Sequence, residues 1–530
     1  MRRALLIVAT LVCGAILGLT SAFLWSAGRG AQPEPWHRLR PAAELTVENA
    51  SEIADLAAYR RLEDRLFDET RTALAREVTR FPAFSRFDPR SPTNPARFGR
   101  DWNRTFELGP AREPVGEALL LHGLSDSPYS LRAVGELLAA HGFHVVGLRI
   151  PGHGTVPGGL AAARRDDWRA AVRLGVGATG ARAREKVVPF VVVGYSNGSA
   201  LALDYTLAAL EKGDGPVPDR LVFLSPAFAV TPAAAWARWP HRLSRIPGLA
   251  KLAWTSVEPE FDPFKFNSFP VLAGAEIHEL TLEIEEAMIR LEAAKGGRAL
   301  PPILAMQSVV DATVPPIESL TRLFSRAGDN QGATELVLFD ANRAAGVRDV
   351  LSPAADELLA LATPGRSFPF RLTLITNAGT GTATVEEVSR APGELAETRR
   401  PIGLAWPVGV YSLSHVAVPF PPDDPAYGMG ASPAGPPFPF GALNLRGERG
   451  ALLIPDQLLV RLRSNPFMAV VEAKILAFVG AGEAPIAGAQ SREARTKSGM
   501  RTSRTVTSSP KSGASSSPIS SAGSSPVASR

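Results

Sequence analysis

The chain has 530 residues, of which 45% are hydrophobic and 21% charged, a balance that is typical of globular proteins and excludes wholesale disorder. The net charge is +5, but residues 491–530 contribute +6, with seven Lys or Arg against one acid, so the other 490 residues sum to −1. A nucleic-acid-binding domain carries its basic surface on its folded part, so we expect no nucleic-acid partner. The single cysteine, Cys13, excludes an intramolecular disulfide and Cys-based metal cages.

An uncharged apolar run at residues 4–25 follows Arg2 and Arg3 at the N-terminus. As a helix, a run of this length spans roughly 33 Å, enough to cross a bilayer core of about 30 Å. Cleaved signal peptides have apolar regions of about 7–15 residues, so the length favours a membrane anchor at residues 1–25. The rest of the chain would then be exported to the periplasm or the cell exterior; secretion after signal cleavage is the alternative.

The remaining chain divides into three parts by composition. We expect an N-terminal extension at residues 26–110 and a folded domain at residues 111–482. Residues 483–530 are rich in Ser, Pro and Ala with scattered basic side chains and almost no large apolar ones. Such a composition cannot offset the entropy of ordering the chain, so this segment is predicted to be a disordered tail.

Short apolar runs alternate with helical patterns inside the predicted domain. The strand-like runs are 117–121, 143–148, 187–193, 220–224 and 303–310, and the helical patterns are 130–140, 166–174, 198–210 and 317–324. This alternation predicts an α/β fold, with a mostly parallel sheet and helices on both faces. In such folds ligands bind beyond the carboxyl ends of the strands, so the chemistry is expected in the loops after them.

A G-x-S-x-G motif follows the third of these runs, as Gly194-Tyr195-Ser196-Asn197-Gly198. The two glycines permit a tight strand-to-helix turn that exposes the serine at a helix N-terminus, where backbone N–H groups favour negative charge. Strand, turn and helix occur in the required order, so Ser196 is predicted to be a nucleophile rather than a chance serine in a loop.

A serine nucleophile needs a base and an orienting acid, expected in the chain order Ser, acid, His. Asp311 follows the strand-like run at 303–310, and His415 is the one histidine downstream of it. We therefore predict Asp311 as the acid and His415 as the base. Asp340 and Asp349 remain alternative acids.

The segment Leu121-His122-Gly123-Leu124 closes the first strand-like run. An oxyanion hole needs two backbone N–H groups aimed at one point, and the expected donors are those of Leu124 and Asn197. His122 and Gly123 are interpreted as structural support for this turn, and His153 as support for its own loop.

A second glycine motif, Gly175-x-Gly177-x-x-Gly180, follows a helical pattern and precedes a strand, the reverse of a dinucleotide site. We therefore regard it as a false match. The sequence contains no Walker A, HExxH or EF-hand pattern, so we expect no metal and no cofactor.

Together these motifs resemble the α/β-hydrolase fold, in particular the monoacylglycerol-lipase-like enzymes, bacterial carboxylesterases and the serine aminopeptidase S33 group. The resemblance lies in LLLHGLSDSP, RIPGHG, GYSNG, VDATVP and SLSH, which begin at residues 119, 149, 194, 310 and 412. It implies the triad Ser196, Asp311 and His415 and an acyl-enzyme mechanism. The 104 positions between Asp311 and His415 exceed the family's usual spacing, so an insertion of one or two elements is expected at about 342–405.

A cap is expected at about 228–300, between the strand-like runs at 220 and 303. It contains a helical pattern of apolar residues and seven aromatic ones: Trp236, Trp239, Trp254, Phe261, Phe264, Phe266 and Phe269. These side chains either shape an apolar acyl pocket or pack the cap on the sheet, and the second is at least as common for aromatic residues.

The sequence thus predicts a serine hydrolase that acts on small-molecule or lipid esters of apolar acyl groups. A peptidase or amidase with the same triad, and a non-catalytic membrane-anchored binding protein, are the alternatives. Neither the acyl length nor the oligomeric state follows from the sequence.

Overall fold

A ten-stranded sheet runs through the computed structural model of the protein. The structure describes Gly14, Gly18 and residues 31–482, without 83, 111, 229–237, 295–299, 312, 315, 317–322, 325–332, 346–359, 361–366, 380, 408–409 and 429–461. Apart from Gly14 and Gly18, the predicted membrane segment therefore lies outside the described residues, and so does the predicted tail. Within the described ranges, no helix is both long enough and apolar enough to span a membrane.

The strands run parallel over most of the sheet. Their bounds are β1 Phe106–Leu108, β2 Gly116–Leu121, β3 Phe143–Leu148, β4 Phe190–Tyr195, β5 Arg220–Leu224, β6 Trp254–Ser256, β7 Phe269–Pro270, β8 Ile303–Ser308, β9 Glu335–Phe339, β10 Arg371–Asn377, β11 Thr384–Arg390 and β12 Glu397–Ala405. The order across the large sheet is β1-β3-β2-β4-β5-β8-β9-β10-β11-β12, while β6 and β7 form a separate pair. In the large sheet β1, β11 and β12 are antiparallel to their neighbours and the other strands are parallel.

Helices cover both faces of this sheet. Their bounds are α1 Pro35–Arg38, α2 Leu56–Glu77, α3 Arg132–Ala140, α4 Pro157–Leu160, α5 Arg165–Lys186, α6 Asn197–Lys212, α7 Arg238–Leu243, α8 Val271–Ala293 and α9 Met468–Val479. Side chains of α2, α5, α6 and α8 pack on one face, and those of α3 and α9 pack on the other. Alternate residues of β2 point to opposite faces: Leu119 and Leu121 to the first, Ala118 and Leu120 to the second. Burial on both faces explains why the parallel strands are continuous apolar runs.

The predicted α/β class, with helices on both faces of a mostly parallel sheet, is confirmed, but several predicted element boundaries were wrong. The helix expected at 166–174 continues to Lys186. The strand expected from Val187 begins at Phe190, because Val187 adopts a left-handed conformation (φ 55°) that ends the helix. The strand expected to reach Val310 ends at Ser308.

Gly175, Gly177 and Gly180 lie inside helix α5, not in a phosphate-binding loop. A Cβ at Gly175 would lie 2.9 Å from a Leu148 methyl, and one at Gly180 would lie 2.5 Å from Pro216. These two glycines therefore let the helix pack closely on its neighbours.

Four described strands, β9 to β12, lie between Asp311 and His415 in the chain, and β10, β11 and β12 extend the sheet beyond β9. Two apolar runs of the sequence in this interval, at 335–339 and 370–375, form β9 and most of β10.

The segment from residue 31 to β1 packs against the sheet through α2 and a buried charge network. Arg149, directly after β3, donates to Glu44 Oε1 at 2.7 Å and to Glu63 Oε1 at 2.9 Å. Its own carbonyl accepts a hydrogen bond of 2.8 Å from the Tyr59 hydroxyl. Because the guanidinium is fully buried, these carboxylates compensate a charge that would otherwise be costly.

Candidate active site

Ser196 lies in a strained turn between β4 and α6. Its backbone has φ 51° and ψ −117°, outside the regions that non-glycine residues normally occupy. A Cβ at Gly194 would lie 2.5 Å from Ser199 Cα, and one at Gly198 would lie 1.8 Å from Leu121 O. Both glycines of the motif are therefore required by close backbone contacts.

His415 lies between Ser196 and Asp311. Its Nδ1 is 2.7 Å from Asp311 Oδ2, and its Nε2 is 3.0 Å from Ser196 Oγ. A carboxylate can only accept, so the first bond keeps the proton on Nδ1 and leaves Nε2 to accept the serine proton. The structure thus brings together all three side chains of the predicted triad.

Hydrogen bonds to the ends of three strands hold the loop that carries His415. The Ser225 hydroxyl, after β5, donates to His415 O at 3.3 Å, and Ser308, the last residue of β8, donates to Leu413 O at 2.9 Å. After β9, Asn342 Nδ2 donates to Val410 O at 2.9 Å. The long sequence separation of His415 is thus bridged by contacts that no local pattern predicts.

Asp311 is fixed by the turn that follows β8. Its Oδ1 accepts the backbone N–H groups of Thr313 and Val314, both at 2.9 Å, which leaves Oδ2 for His415. Of the alternative acids, Asp340 pairs instead with Arg343 and Thr376, and Asp349 lies outside the described residues.

The backbone N–H groups of Leu124 and Asn197 have no hydrogen-bond partner among the described residues. Asn197 is the first residue of α6 and Leu124 follows the end of β2, so both lie at the carboxyl edge of the sheet, beside Ser196. Gly123 precedes Leu124, and a Cβ there would lie 2.7 Å from Asp126 Oδ2 and 3.0 Å from the Tyr195 ring. Two free donors beside a serine hydroxyl are what an oxyanion hole requires.

His122 and His153 are buried, with ring centroids 4.9 Å apart. His122 Nδ1 is 2.9 Å from Gly123 O, and its Nε2 accepts the backbone N–H of Ile150 at 3.0 Å. Burial holds the pKa of His122 well below its usual value and lowers that of His153 to about 3. Both rings are therefore neutral, and His122 links the turn after β2 to the loop after β3.

Ser196 and His415 open into a cavity of about 360 Å³. Two larger concavities, of about 640 and 770 Å³, contain none of the predicted site residues. The wall of the cavity at Ser196 and His415 is mostly apolar and includes Leu124, Ala227, Phe269, Ile277, Val314 and Val416.

The cap aromatic residues differ in their surroundings. Phe269 lines the cavity, as does Ile277 from helix α8. Trp254, Phe261, Phe264 and Phe266 are buried, Trp239 is exposed, and Trp236 lies outside the described residues. Packing therefore accounts for most of the described side chains in this set, and among those described only Phe269 lines the cavity.

The strained serine turn at the carboxyl edge of this sheet is characteristic of the α/β-hydrolase fold, and the protein has that fold. Residues 112–337 match the model of a hydrolase family described as serine aminopeptidase, S33. A comparison with curated proteins finds no match.

Solved structures of lipolytic enzymes are similar to this chain at low identity. A structure reported for metagenome-derived lipolytic enzymes is 20% identical, covers 49% of this chain and 97% of its own, and has a TM-score of 0.33. Monoacylglycerol lipase from Paleococcus ferrophilus is 22% identical, covers 44% of this chain and 88% of its own, and has a TM-score of 0.33. A soluble variant of Saccharomyces cerevisiae monoglyceride lipase is 14% identical, covers 44% of this chain and 82% of its own, and has a TM-score of 0.35.

Proposed function

We propose that the protein is a serine hydrolase that cleaves carboxylic esters of apolar acyl groups through an acyl-enzyme intermediate. The observation that carries this proposal is the continuous hydrogen-bonded path from Ser196 Oγ through His415 to Asp311, with Ser196 and His415 in the wall of a cavity. A serine hydroxyl becomes a useful nucleophile when an adjacent base removes its proton.

In the proposed reaction His415 Nε2 takes the proton from Ser196 as Oγ attacks the ester carbonyl. The N–H groups of Leu124 and Asn197 donate to the oxygen on which negative charge develops. Nε2 then gives its proton to the departing alcohol. Water, deprotonated by the same nitrogen, releases the acid and regenerates Ser196, while Asp311 orients the ring throughout.

The apolar wall of the cavity favours a substrate whose acyl group carries no charge. Phe269 and Ile277 contribute to this wall from the cap, and Val314 and Val416 from the loops that carry the acid and the base. Burying a methylene group against such side chains contributes about 0.8 kcal/mol, so longer acyl chains gain affinity until the cavity is full.

Hydrolysis of an aminoacyl amide is the second candidate, supported by the description of the matching family. An aminopeptidase needs a carboxylate to bind the substrate's ammonium group. Asp126 is the one acidic side chain among the described lining residues, and its Oδ1 already accepts from Lys265 at 3.0 Å. The ester proposal is therefore favoured, and rates on p-nitrophenyl esters and aminoacyl-p-nitroanilides measured side by side separate the two.

Replacing Ser196 with Ala tests the proposal directly. We expect Ser196→Ala to lower turnover of short-chain aryl esters by on the order of a millionfold and to abolish labelling by a fluorophosphonate probe. The matched control is Ser199→Ala in helix α6, which follows Ser196, since the buried Ser199 hydroxyl has no hydrogen-bond partner among the described residues. Wild-type protein that neither hydrolyses esters nor reacts with the probe would instead support a non-catalytic binding role.

We also propose that residues 1–25 anchor the protein in a membrane and place the hydrolase domain outside the cytoplasm. Support comes from the length of the uncharged run after Arg2 and Arg3. Membrane fractionation with N-terminal sequencing of the mature protein tests this, because a cleaved signal leaves a new N-terminus and a soluble chain.

A further inference from the structure

Two charged side chains, Asp126 and Lys265, form a pair in the wall of the Ser196 cavity. Lys265 Nζ donates to Asp126 Oδ1 at 3.0 Å, and the Asp126 side chain is 8% exposed against 26% for Lys265. A partly desolvated pair interacts more strongly than one in open solvent. The pair joins the cap to the loop after β2.

Asp126 belongs to the turn that carries the Leu124 N–H. Its backbone N–H donates to Gly123 O at 3.2 Å, and its Oδ2 lies so close to Gly123 that a Cβ there would be 2.7 Å away. Ser125, between Leu124 and Asp126, has a positive φ of 65°. The carboxylate is thus folded back onto the turn that bears the Leu124 N–H.

Lys265 approaches this turn from an anchored part of the cap. Its backbone N–H donates to Asp262 Oδ1 at 3.2 Å, and the buried Asp262 carboxylate also binds the Tyr427 hydroxyl and the Arg463 guanidinium. The next residue, Phe266, donates its N–H to Ser125 O at 2.8 Å. The cap therefore holds the turn at two points, one through a charge and one through the backbone.

The charge of Lys265 also affects the electrostatics of the site. Burial raises the pKa of Asp126, and the Lys265 ammonium opposes that shift. Without the lysine, an Asp126 carboxylate would lie uncompensated close to the place where the proposed reaction develops negative charge.

We propose that Lys265 is a positioning residue for the reaction: paired with Asp126, it fixes the turn that bears the Leu124 N–H and neutralises the carboxylate beside the oxyanion. This inference rests on the proposed function. It assigns the cap a part in transition-state stabilisation, in addition to shaping the cavity.

The test compares Lys265→Met with Lys186→Met. The second variant removes a lysine that pairs with Glu113 at 2.7 Å at the opposite edge of the sheet, before the start of β2. We expect Lys265→Met to lower kcat for aryl esters roughly 10- to 100-fold and to change KM less than about threefold, because a displaced donor weakens mainly the transition state. The rate of fluorophosphonate labelling should fall by a similar factor, while Lys186→Met matches the wild type.

Variants of the pair itself distinguish positioning from a general structural role. Lys265→Arg keeps the charge and should recover most of kcat. Asp126→Asn alone keeps the Lys265 ammonium, so its kcat should fall less than that of Lys265→Met. The double variant Lys265→Met with Asp126→Asn should recover part of the lost kcat, because it no longer has the uncompensated carboxylate. Thermal unfolding of each variant shows whether a loss of kcat reflects misfolding, and where Lys265→Met folds poorly, Lys265→Arg and Asp126→Asn are each compared with the wild type.

Three results would overturn the inference: kcat of Lys265→Met within twofold of wild type, a loss confined to KM, or a larger loss in Asp126→Asn than in Lys265→Met. In each case an active wild type and an inactive Ser196→Ala leave the proposed hydrolase function standing. A wild type without esterase activity or probe labelling removes the proposed function and this inference together.

Discussion

At the scale of single residues, the atom that lies opposite Nδ1 of His415 determines which ring nitrogen carries the hydrogen. Asp311 offers a carboxylate oxygen there at 2.7 Å, so Nδ1 keeps its hydrogen and Nε2 is free to act as a base. An amide in the same place can donate its own N–H to Nδ1. The proton would then move to Nε2, where it faces the Ser196 hydroxyl and blocks proton transfer.

We therefore expect Asp311→Asn to lower kcat by roughly 10³- to 10⁴-fold with little change in thermal stability. The amide oxygen of Asn can still accept the N–H groups of Thr313 and Val314, which preserves the turn. Steady-state kinetics and thermal unfolding measure the two quantities.

The matched control is Asp340→Asn, which changes the acid after the neighbouring strand β9. Asp340 pairs with Arg343 at 2.7 Å and is not hydrogen-bonded to His415. Near-normal kcat is expected for this variant. If Asp340→Asn lost activity while Asp311→Asn kept a normal kcat, the acid of the triad would be Asp340 instead of Asp311.

At the scale of secondary-structure elements, helix α6 begins against the end of strand β2. Gly198 makes this contact possible, since a Cβ there would lie 1.8 Å from Leu121 O, a backbone atom that cannot rotate away. We expect Gly198→Ala to shift the start of α6, to lower activity by at least roughly 100-fold and to lower the melting temperature. The esterase assay and thermal unfolding measure both effects.

Gly177→Ala is the matched control, because Gly177 lies in the interior of α5 and a Cβ there would have no described atom within 4 Å. Alanine is favoured over glycine in a helix by about 0.5–1 kcal/mol, so this variant should be slightly more stable and equally active. Equal effects of the two substitutions would show that close packing at Gly198 is unimportant.

The same elements show why the sequence predicted some features and missed others. Strands β3 and β5 match their predicted bounds, because a doubly buried strand is an unbroken apolar run. The start of β4 was wrong because Val187 and Val188 are apolar too, and only the left-handed backbone at Val187 separates them from the strand.

The candidate site was predictable where its chemistry is local. The turn around Ser196 has a motif, and His415 followed from elimination among few histidines. The bonds from Ser308 to Leu413 O and from Lys265 to Asp126 join residues 105 and 139 positions apart. Such pairings depend on the tertiary fold, so no spacing in the sequence indicates them.

At the scale of the whole molecule, distant parts of the chain support one site. The segment before β1 reaches the loop after β3 through Glu44, Glu63 and Arg149. The cap reaches the region before α9 through Asp262 and Arg463. Removing one partner from such a buried pair leaves a charge without compensation, so these contacts couple the stability of the site to that of the fold.

Histidines with pKa values shifted in opposite directions make stability depend on pH. His153 has a folded pKa of about 3, because burial disfavours its charged form. The unfolded chain therefore binds a proton near pH 6.5 that the folded chain does not, and stability falls as the pH drops below that value, by about 1.4 kcal/mol per pH unit. His144 has a folded pKa of about 9, because it hydrogen-bonds Glu107 and Glu117. Its contribution is complete below pH 6.5 and is lost as the pH rises through 9.

Substituting each histidine by glutamine should separate the two effects. His153→Gln removes the contribution of His153 to the proton uptake on unfolding, so the stability of this variant should decline less steeply than that of the wild type between pH 6.5 and about 4.5. His144→Gln should be less stable than the wild type at pH 6, and the difference should vanish by about pH 10. Urea unfolding at a series of pH values gives both comparisons. If the free energy of unfolding of the wild type and of His153→Gln fell equally steeply below pH 6.5, His153 would be protonated in the folded protein. That result would contradict its burial between the loops after β2 and β3.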